Sequence, residues 1–210
     1  GWISPKAMRN GIIITVLFAC LIGSSLLFYA GWELIIVGLL CVLFAFLYTT
    51  GPYPLSYNGW GDILVIVFFG FDPVGGTYYV QALTWTTDTT IASLICGLLI
   101  DTLLVVNNYR DREADARSGK RTVIVRFGEK FGSYLYLMLG MTASLLCFWF
   151  LFEGHLYAAL LPLLYLIPHF LTWKRMVRIH SGKKLNSILG ETSRNMLLMG
   201  ILLSIGFFLN

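Results

Sequence analysis

Seven long apolar runs, separated by short polar connections, account for most of this chain. They cover residues 11–29, 32–49, 63–81, 89–107, 132–152, 156–173 and 190–209. Most approach the roughly 20 residues that an α-helix needs to cross a hydrocarbon core, and they far exceed the length of barrel strands. The pattern predicts an all-α integral membrane protein, a bundle of seven transmembrane helices. The third run is the least regular, because its apolar stretch 63–71 is followed by Asp72, Pro73, Gly75 and Gly76. A kink or a half-helix is expected there.

Composition narrows the class. Of the 210 residues, 57% are hydrophobic and only 12% charged, with a mean hydropathy of +0.75. A soluble domain carries about 25% charged residues. No linker or low-complexity tract divides the chain, so a single transmembrane domain over residues 1–210 is expected. The formal charge of +4 is no nucleic-acid signal, because in a membrane protein the placement of basic residues matters more than their sum. Cys20, Cys41, Cys96 and Cys147 lie in separate apolar runs without paired spacing, and His155, His169 and His180 show no metal-ligand spacing.

Placement of charge fixes the topology. Lys6 and Arg9 precede the first run, and seven basic residues from Arg110 to Lys130 follow the fourth. Lys174, Arg175, Arg178, Lys183, Lys184 and Arg194 lie between the sixth run and the entry of the seventh. With seven crossings all fifteen Lys and Arg residues share one side, which the positive-inside rule makes cytoplasmic. A multi-pass protein of the cell membrane is expected, with its N-terminus inside and its C-terminus outside. The connection over residues 50–62 then also faces the cytoplasm. Pro52 and Pro54 oppose regular helix in it, and Gly51, Gly59 and Gly61 permit tight turns. It reads either as an ordered connector or as a lid over a site.

Candidate chemistry concentrates at residues 107–122, NNYRDREADARSGKRT, the most charged window of its length. Asn108, Asp111 and Asp115 follow at i, i+3 and i+7 and share one helix face, with Asp101 seven residues earlier on the same face. Asn107 and Arg110 flank the stripe. Two carboxylates one turn apart, with Arg110, Lys120 and Arg121 near, suit a divalent cation such as Mg²⁺ carrying a phosphorylated ligand. A polar connection between two membrane helices is the plainer reading. Asp101, an ionisable residue at membrane depth, is a functional candidate, or simply faces a wet cavity. Tyr48, Tyr53, Tyr57 and Tyr109 could offer π faces to an allylic cation, although tyrosines are common at membrane interfaces in any case.

Residues 107–128, NNYRDREADARSGKRTVIVRFG, resemble the second aspartate-rich motif of the UbiA-type membrane prenyltransferases, in the version NNxRDxxxDxxxGKxT. Residues 48–70, YTTGPYPLSYNGWGDILVIVFFG, resemble the cytoplasmic loop and following helix of the menaquinone-pathway branch of that family. The resemblance implies a reaction in which a polyprenyl diphosphate ionises with the help of Mg²⁺. Its allylic carbon alkylates 1,4-dihydroxy-2-naphthoate with loss of diphosphate and CO₂, giving demethylmenaquinone. It assigns Asp111 and Asp115 to the metal, and Asn107 and Asn108 to catalysis beside them. Arg110, Lys120 and Arg121 fall to the diphosphate, with Tyr48 and Asp62 as further substrate-binding positions.

Family members have about nine helices and two aspartate-rich motifs, and these seven runs resemble the last seven helices. The first motif has no counterpart, and the chain begins at Gly1 without an initiator methionine. An N-terminally truncated sequence, inactive by itself, is therefore expected. Asp72-Pro73 and Asp101 stand where the family pattern leads one to expect small or apolar residues. A sibling enzyme with another aromatic acceptor remains open, as does a non-catalytic membrane subunit. A seven-helix receptor or transporter fits less well. The seventh run has no Lys for a retinal Schiff base, and the charges sit at a helix end rather than near mid-membrane.

Overall fold

The structure is a computed structural model that describes residues 2–209. Gly1 and Asn210, the two ends of the expected domain, lie outside the described residues. Helices follow one another without any strand among the described residues. In chain order the apolar helices are α1 Pro5–Ala30, α2 Glu33–Thr49, α3 Gly61–Ala82, α4 Thr87–Arg117, α5 Val123–Phe152, α6 Leu156–Ile179 and α7 Lys183–Phe208. Six are long and apolar enough to cross a membrane, and α2 is shorter at 17 residues. At 1.5 Å per residue α2 spans about 25 Å, the short end of what a bilayer requires. Each of the seven apolar runs thus has its helix.

Local chemistry sets the helix starts. Ser4 caps α1 by accepting from the Ala7 N–H at 3.2 Å, Thr86 caps α4 through Thr89 N–H at 3.1 Å, and Thr122 caps α5 through Val125 N–H at 3.2 Å. Each side-chain oxygen satisfies a donor that the first turn leaves free. The third run is a continuous helix rather than a half-helix. Its middle, Ile66–Gly75, winds as a π-helix around Pro73. The wider π spacing relieves the clash between the proline ring and the preceding turn. In α5 the break falls at Gly128, whose φ of +87° lies in the region that favours glycine.

Helix α4 is the axis of the bundle. Its 31 residues extend about 46 Å, well beyond a hydrocarbon core of about 30 Å, so one end must project into a polar phase. The charged sequence from Asn107 to Arg117 occupies that end, and the plainer reading of it as a loop gives way to helix. Helices α3 and α5 both pack along α4. The α3–α4 approach is so close that Gly70 meets the Ser93 carbonyl and Gly97 meets backbone of Ile66. Beyond α5, polar pairs tie the second half together. Tyr136 bonds Thr192 at 3.0 Å, Asn195 donates to Thr172 at 2.9 Å, and His169 Nε2 of α6 bonds the Leu137 carbonyl of α5 at 3.2 Å. Between apolar helices such bonds hold a register that packing alone would leave loose. Helix α1 buries no residue within Pro5–Ser24, as suits a helix covered by lipid.

Candidate functional site

The projecting end of α4 and the connection before α3 enclose a cavity of about 330 Å³. From α4 come Leu104, Asn107, Asn108 and Asp115, and just past its end Ser118, Lys120 and Thr122. The opposite wall is Tyr48 and Thr49 at the end of α2, Ser56, Tyr57 and Gly59 of the connection, and Gly61 and Asp62 opening α3. The two stretches are distant in sequence and meet here.

The connection is an ordered wall of this cavity. A short 3₁₀ turn, Leu55–Asn58, forms between the prolines and Gly59, which takes φ +81° to turn the chain. Ser56 Oγ donates to the Tyr48 carbonyl at 2.6 Å, and Asn58 Nδ2 to the Pro54 carbonyl at 2.8 Å. Two further bonds cross to the α4–α5 junction. The Arg121 N–H donates to the Tyr57 carbonyl at 2.7 Å, and Arg126 Nη2 donates to the Asn58 carbonyl at 2.7 Å. A backbone group at Gly59 approaches Arg121 so closely that a Cβ there would stand 3.0 Å from its carbonyl oxygen. Arg126 was not among the residues singled out in the sequence. Nothing in its local spacing distinguishes it from a surface arginine, because its partner is a carbonyl 68 residues away.

The charged residues divide into two pairs. Asp115 lines the cavity and holds Lys120 at 3.3 Å across the turn that ends α4. Asp111 turns aside from the cavity lining and is gripped by Arg110 through two bonds, Nε to Oδ1 at 2.7 Å and Nη2 to Oδ2 at 2.6 Å. Arg110 also donates to Asn107 Oδ1 at 2.7 Å and reaches across to Asn186 of α7 at 2.9 Å. Of the three residues expected on one helix face, Asn108 and Asp115 line the cavity and Asp111 lies beside it. A helix turn of 100° per residue spreads i, i+3 and i+7 over a sector wide enough for different neighbours to claim its two edges. Arg121 contributes its backbone to the wall, and its side chain is not among those lining the cavity.

Of the tyrosines, Tyr48 and Tyr57 line the cavity and Tyr53 is exposed. Tyr109 is buried behind the site under Arg112, whose guanidinium carbon lies 4.7 Å from the ring centre. Arg112 is itself buried and is the hub of a network that reaches the surface at Glu129 and His180. It donates to the carbonyls of Tyr109 at 2.7 Å and His180 at 3.0 Å and pairs with Glu129 at 2.7 Å. This network joins α4, α5 and the α6–α7 connection directly behind the charged turn. Asp101, placed on the stripe by spacing, lies deeper in α4 with 1% of its surface exposed.

The donor set fits a hard cation. Asp115, Asn107 and Asn108 offer oxygen ligands on the cavity, with Asp111 one turn away. No group of three or more His, Cys, Asp or Glu residues gathers as a complete protein cage among the described residues. Mg²⁺ is commonly held by one or two carboxylates together with substrate phosphates and water rather than by such a cage.

The sequence pattern of the UbiA prenyltransferase family matches residues 1–206. A curated 1,4-dihydroxy-2-naphthoate octaprenyltransferase of Escherichia coli (strain K12) is 33% identical over 226 aligned residues, which cover 100% of this chain and 70% of that protein. Its namesake from Haemophilus influenzae is 34% identical, again over 100% of this chain and 70% of the relative. The one from Mycobacterium tuberculosis is 36% identical over 145 residues, covering 69% of this chain and 50% of the relative. No solved structure matches this chain significantly.

Proposed function

We propose that this chain, which belongs to the UbiA prenyltransferase family, transfers a polyprenyl group from its diphosphate to 1,4-dihydroxy-2-naphthoate in menaquinone synthesis. Its relatives are named for that naphthoate acceptor. One juxtaposition carries the reading. Asp115, Lys120 and the Asn pair converge with Tyr48, Tyr57 and Asp62 on one cavity at the projecting end of α4. Anion-binding and aromatic groups are thereby placed on facing walls at the edge of an apolar bundle. A substrate with a charged head and a long apolar tail needs that border.

In this reading the allylic C–O bond breaks and its electron pair leaves with the diphosphate. The ring carbon that bears the carboxylate then attacks the allylic carbon, and its C–CO₂ bond breaks, returning the electron pair to the ring and releasing CO₂. Asp111 and Asp115 would hold Mg²⁺, which when bound supplies Lewis-acid stabilisation of the departing diphosphate. Lys120 and Arg110 present charged donors that exchange their present carboxylates for diphosphate oxygens. Asn107 and Asn108 complete the polar wall. The π faces of Tyr48 and Tyr57 stabilise the positive charge that develops on the allyl group. The ordered turn Leu55–Asn58, pinned by Arg121 and Arg126, keeps water from the cation. On this reading the site faces the cytoplasm at the cell membrane, which the positive-inside rule supports because seven crossings put all fifteen Lys and Arg residues on one side.

The test is transfer from a radiolabelled polyprenyl diphosphate to dihydroxynaphthoate by protein in detergent or liposomes, with and without Mg²⁺. Formation of the prenylated naphthoquinol only with the metal is expected. A protein that binds no prenyl diphosphate in the presence of Mg²⁺ refutes the reading. The same assay on these 210 residues by themselves tests the expectation that they are inactive alone, which any turnover overturns.

A further inference from the structure

Two carboxylates beneath the cavity have oxygens that the protein leaves unsatisfied. Asp62, in the first turn of α3, lines the cavity, and its Oδ1 is buried without a hydrogen-bond partner. Asp101 in α4 is 1% exposed, and its Oδ1 likewise has no partner. Neither makes an ion pair among the described residues. Glycines set them side by side. Gly61 lies against Leu104, with 3.4 Å from an added Cβ to the leucine methyl, and Gly97 lies against the backbone of Ile66. This antiparallel register brings Asp62 and Asp101 to almost the same level across the α3–α4 contact. They are close enough to act on each other electrostatically and on the Tyr48 hydroxyl.

A buried acceptor without a donor costs free energy, so its retention calls for a partner from outside the protein. The cations of the site do not supply it, since Lys120 holds Asp115 and Arg110 holds Asp111. Chemistry also limits what the partner can be. Among the substrates of the proposed reaction, a diphosphate or a carboxylate would be repelled by two facing carboxylates, which leaves the uncharged hydroxyls of the acceptor. Asp62 opens onto the cavity of about 330 Å³ beside Tyr48, Gly61 and Leu104, a wall flat and apolar enough to take an aromatic ring. We infer that Asp62 receives a phenolic hydroxyl of the aromatic acceptor, with Asp101 behind it as a positioning residue. This rests on the acceptor reading above and moves Asp62 from the diphosphate end of the site to the acceptor end. The hydrogen bond draws the hydroxyl proton toward Asp62, raises electron density in the ring, and turns the acceptor's own carboxylate away from the pair.

The experiment compares equilibrium binding of 1,4-dihydroxy-2-naphthoate, 1-hydroxy-2-naphthoate and 2-naphthoate to the purified protein, followed by naphthoate fluorescence under anaerobic conditions. The unaltered protein should bind the dihydroxy compound about tenfold or more tightly than 2-naphthoate. In Asp62→Ala that preference should collapse to about threefold or less, with 2-naphthoate binding unchanged. Asp62→Asn, which keeps the side-chain shape, guards against a folding defect, and both variants should keep Mg²⁺-dependent prenyl diphosphate binding within about twofold. Asp101→Asn should raise KM for the acceptor with KM for the prenyl diphosphate unchanged, a split that a merely loosened bundle would not produce. Retention of the full hydroxyl preference in both Asp62 variants overturns the assignment, as does an equal loss of diphosphate binding in them. Absence of prenyl diphosphate binding in the unaltered protein strikes the proposed function instead.

Discussion

The contact between α3 and α4 sets the level of Asp62 against that of Asp101, and Gly70 is where it can be broken with one carbon. A Cβ on Gly70 would stand 2.6 Å from the Ser93 carbonyl oxygen and 2.7 Å from Cα of Gly97. Both obstacles are backbone, so no side chain can swing aside. Widening the gap from 2.6 Å to an ordinary contact of 3.4 Å separates the helices locally by about 0.8 Å. Overpacking of this kind costs about 1–3 kcal/mol, and with backbone on both sides Gly70→Ala belongs near the upper figure. Gly76 in the same helix is the control, because an added Cβ meets nothing within 4 Å there. Gly76→Ala should be neutral or stabilise by up to about 1 kcal/mol through helix propensity. Denaturant unfolding in mixed micelles, followed by tryptophan fluorescence, measures both. Because Asp62 lies two turns from Gly70, prenyl transfer should also fall by about 10–100-fold in the alanine variant, the usual cost of misplacing a site by a fraction of an ångström to an ångström. A Gly70→Ala protein within about 0.5 kcal/mol of the parent, fully active, would refute the close-packed register.

Two other outcomes follow from the charged turn and its support. Asp111→Ala and Asp115→Ala should each lower Mg²⁺-dependent transfer by about 100-fold or more, and near-normal turnover in both would remove them from the metal site. Arg112→Met should lower stability by about 1–3 kcal/mol, because it strips the Tyr109 and His180 carbonyls of their donor and leaves Glu129 without its guanidinium. An unchanged thermal midpoint would show that this network holds nothing in place.

Spans and bundle class were legible in the order of residues. An exposed backbone group in hydrocarbon is so costly that an apolar run of sufficient length has few alternatives to helix, and hydropathy alone then locates the elements. The irregular third run shows the limit of that reading. Asp72, Pro73 and the glycines pointed to a kink or half-helix, whereas the chain winds through them in π geometry and continues to Ala82. Neighbouring α4 supplies the reason, since its small residues Ser93 and Gly97 let the irregular middle of α3 seat against it.

The site was half legible. Local spacing put Asn108, Asp111 and Asp115 on one side of a helix, and the motif resemblance joined residues 48–70 to residues 107–128. What spacing could not supply was which neighbour each side chain meets. Arg110 claims Asp111, Lys120 claims Asp115, Arg126 pins a loop 68 residues distant, and Asp62 comes level with Asp101. Arg110–Asp111 and Lys120–Asp115 are local pairs, but the other two depend on how far each helix is rotated and slid against the next. Such offsets are set by glycine contacts between distant segments, and no window of the sequence contains both partners.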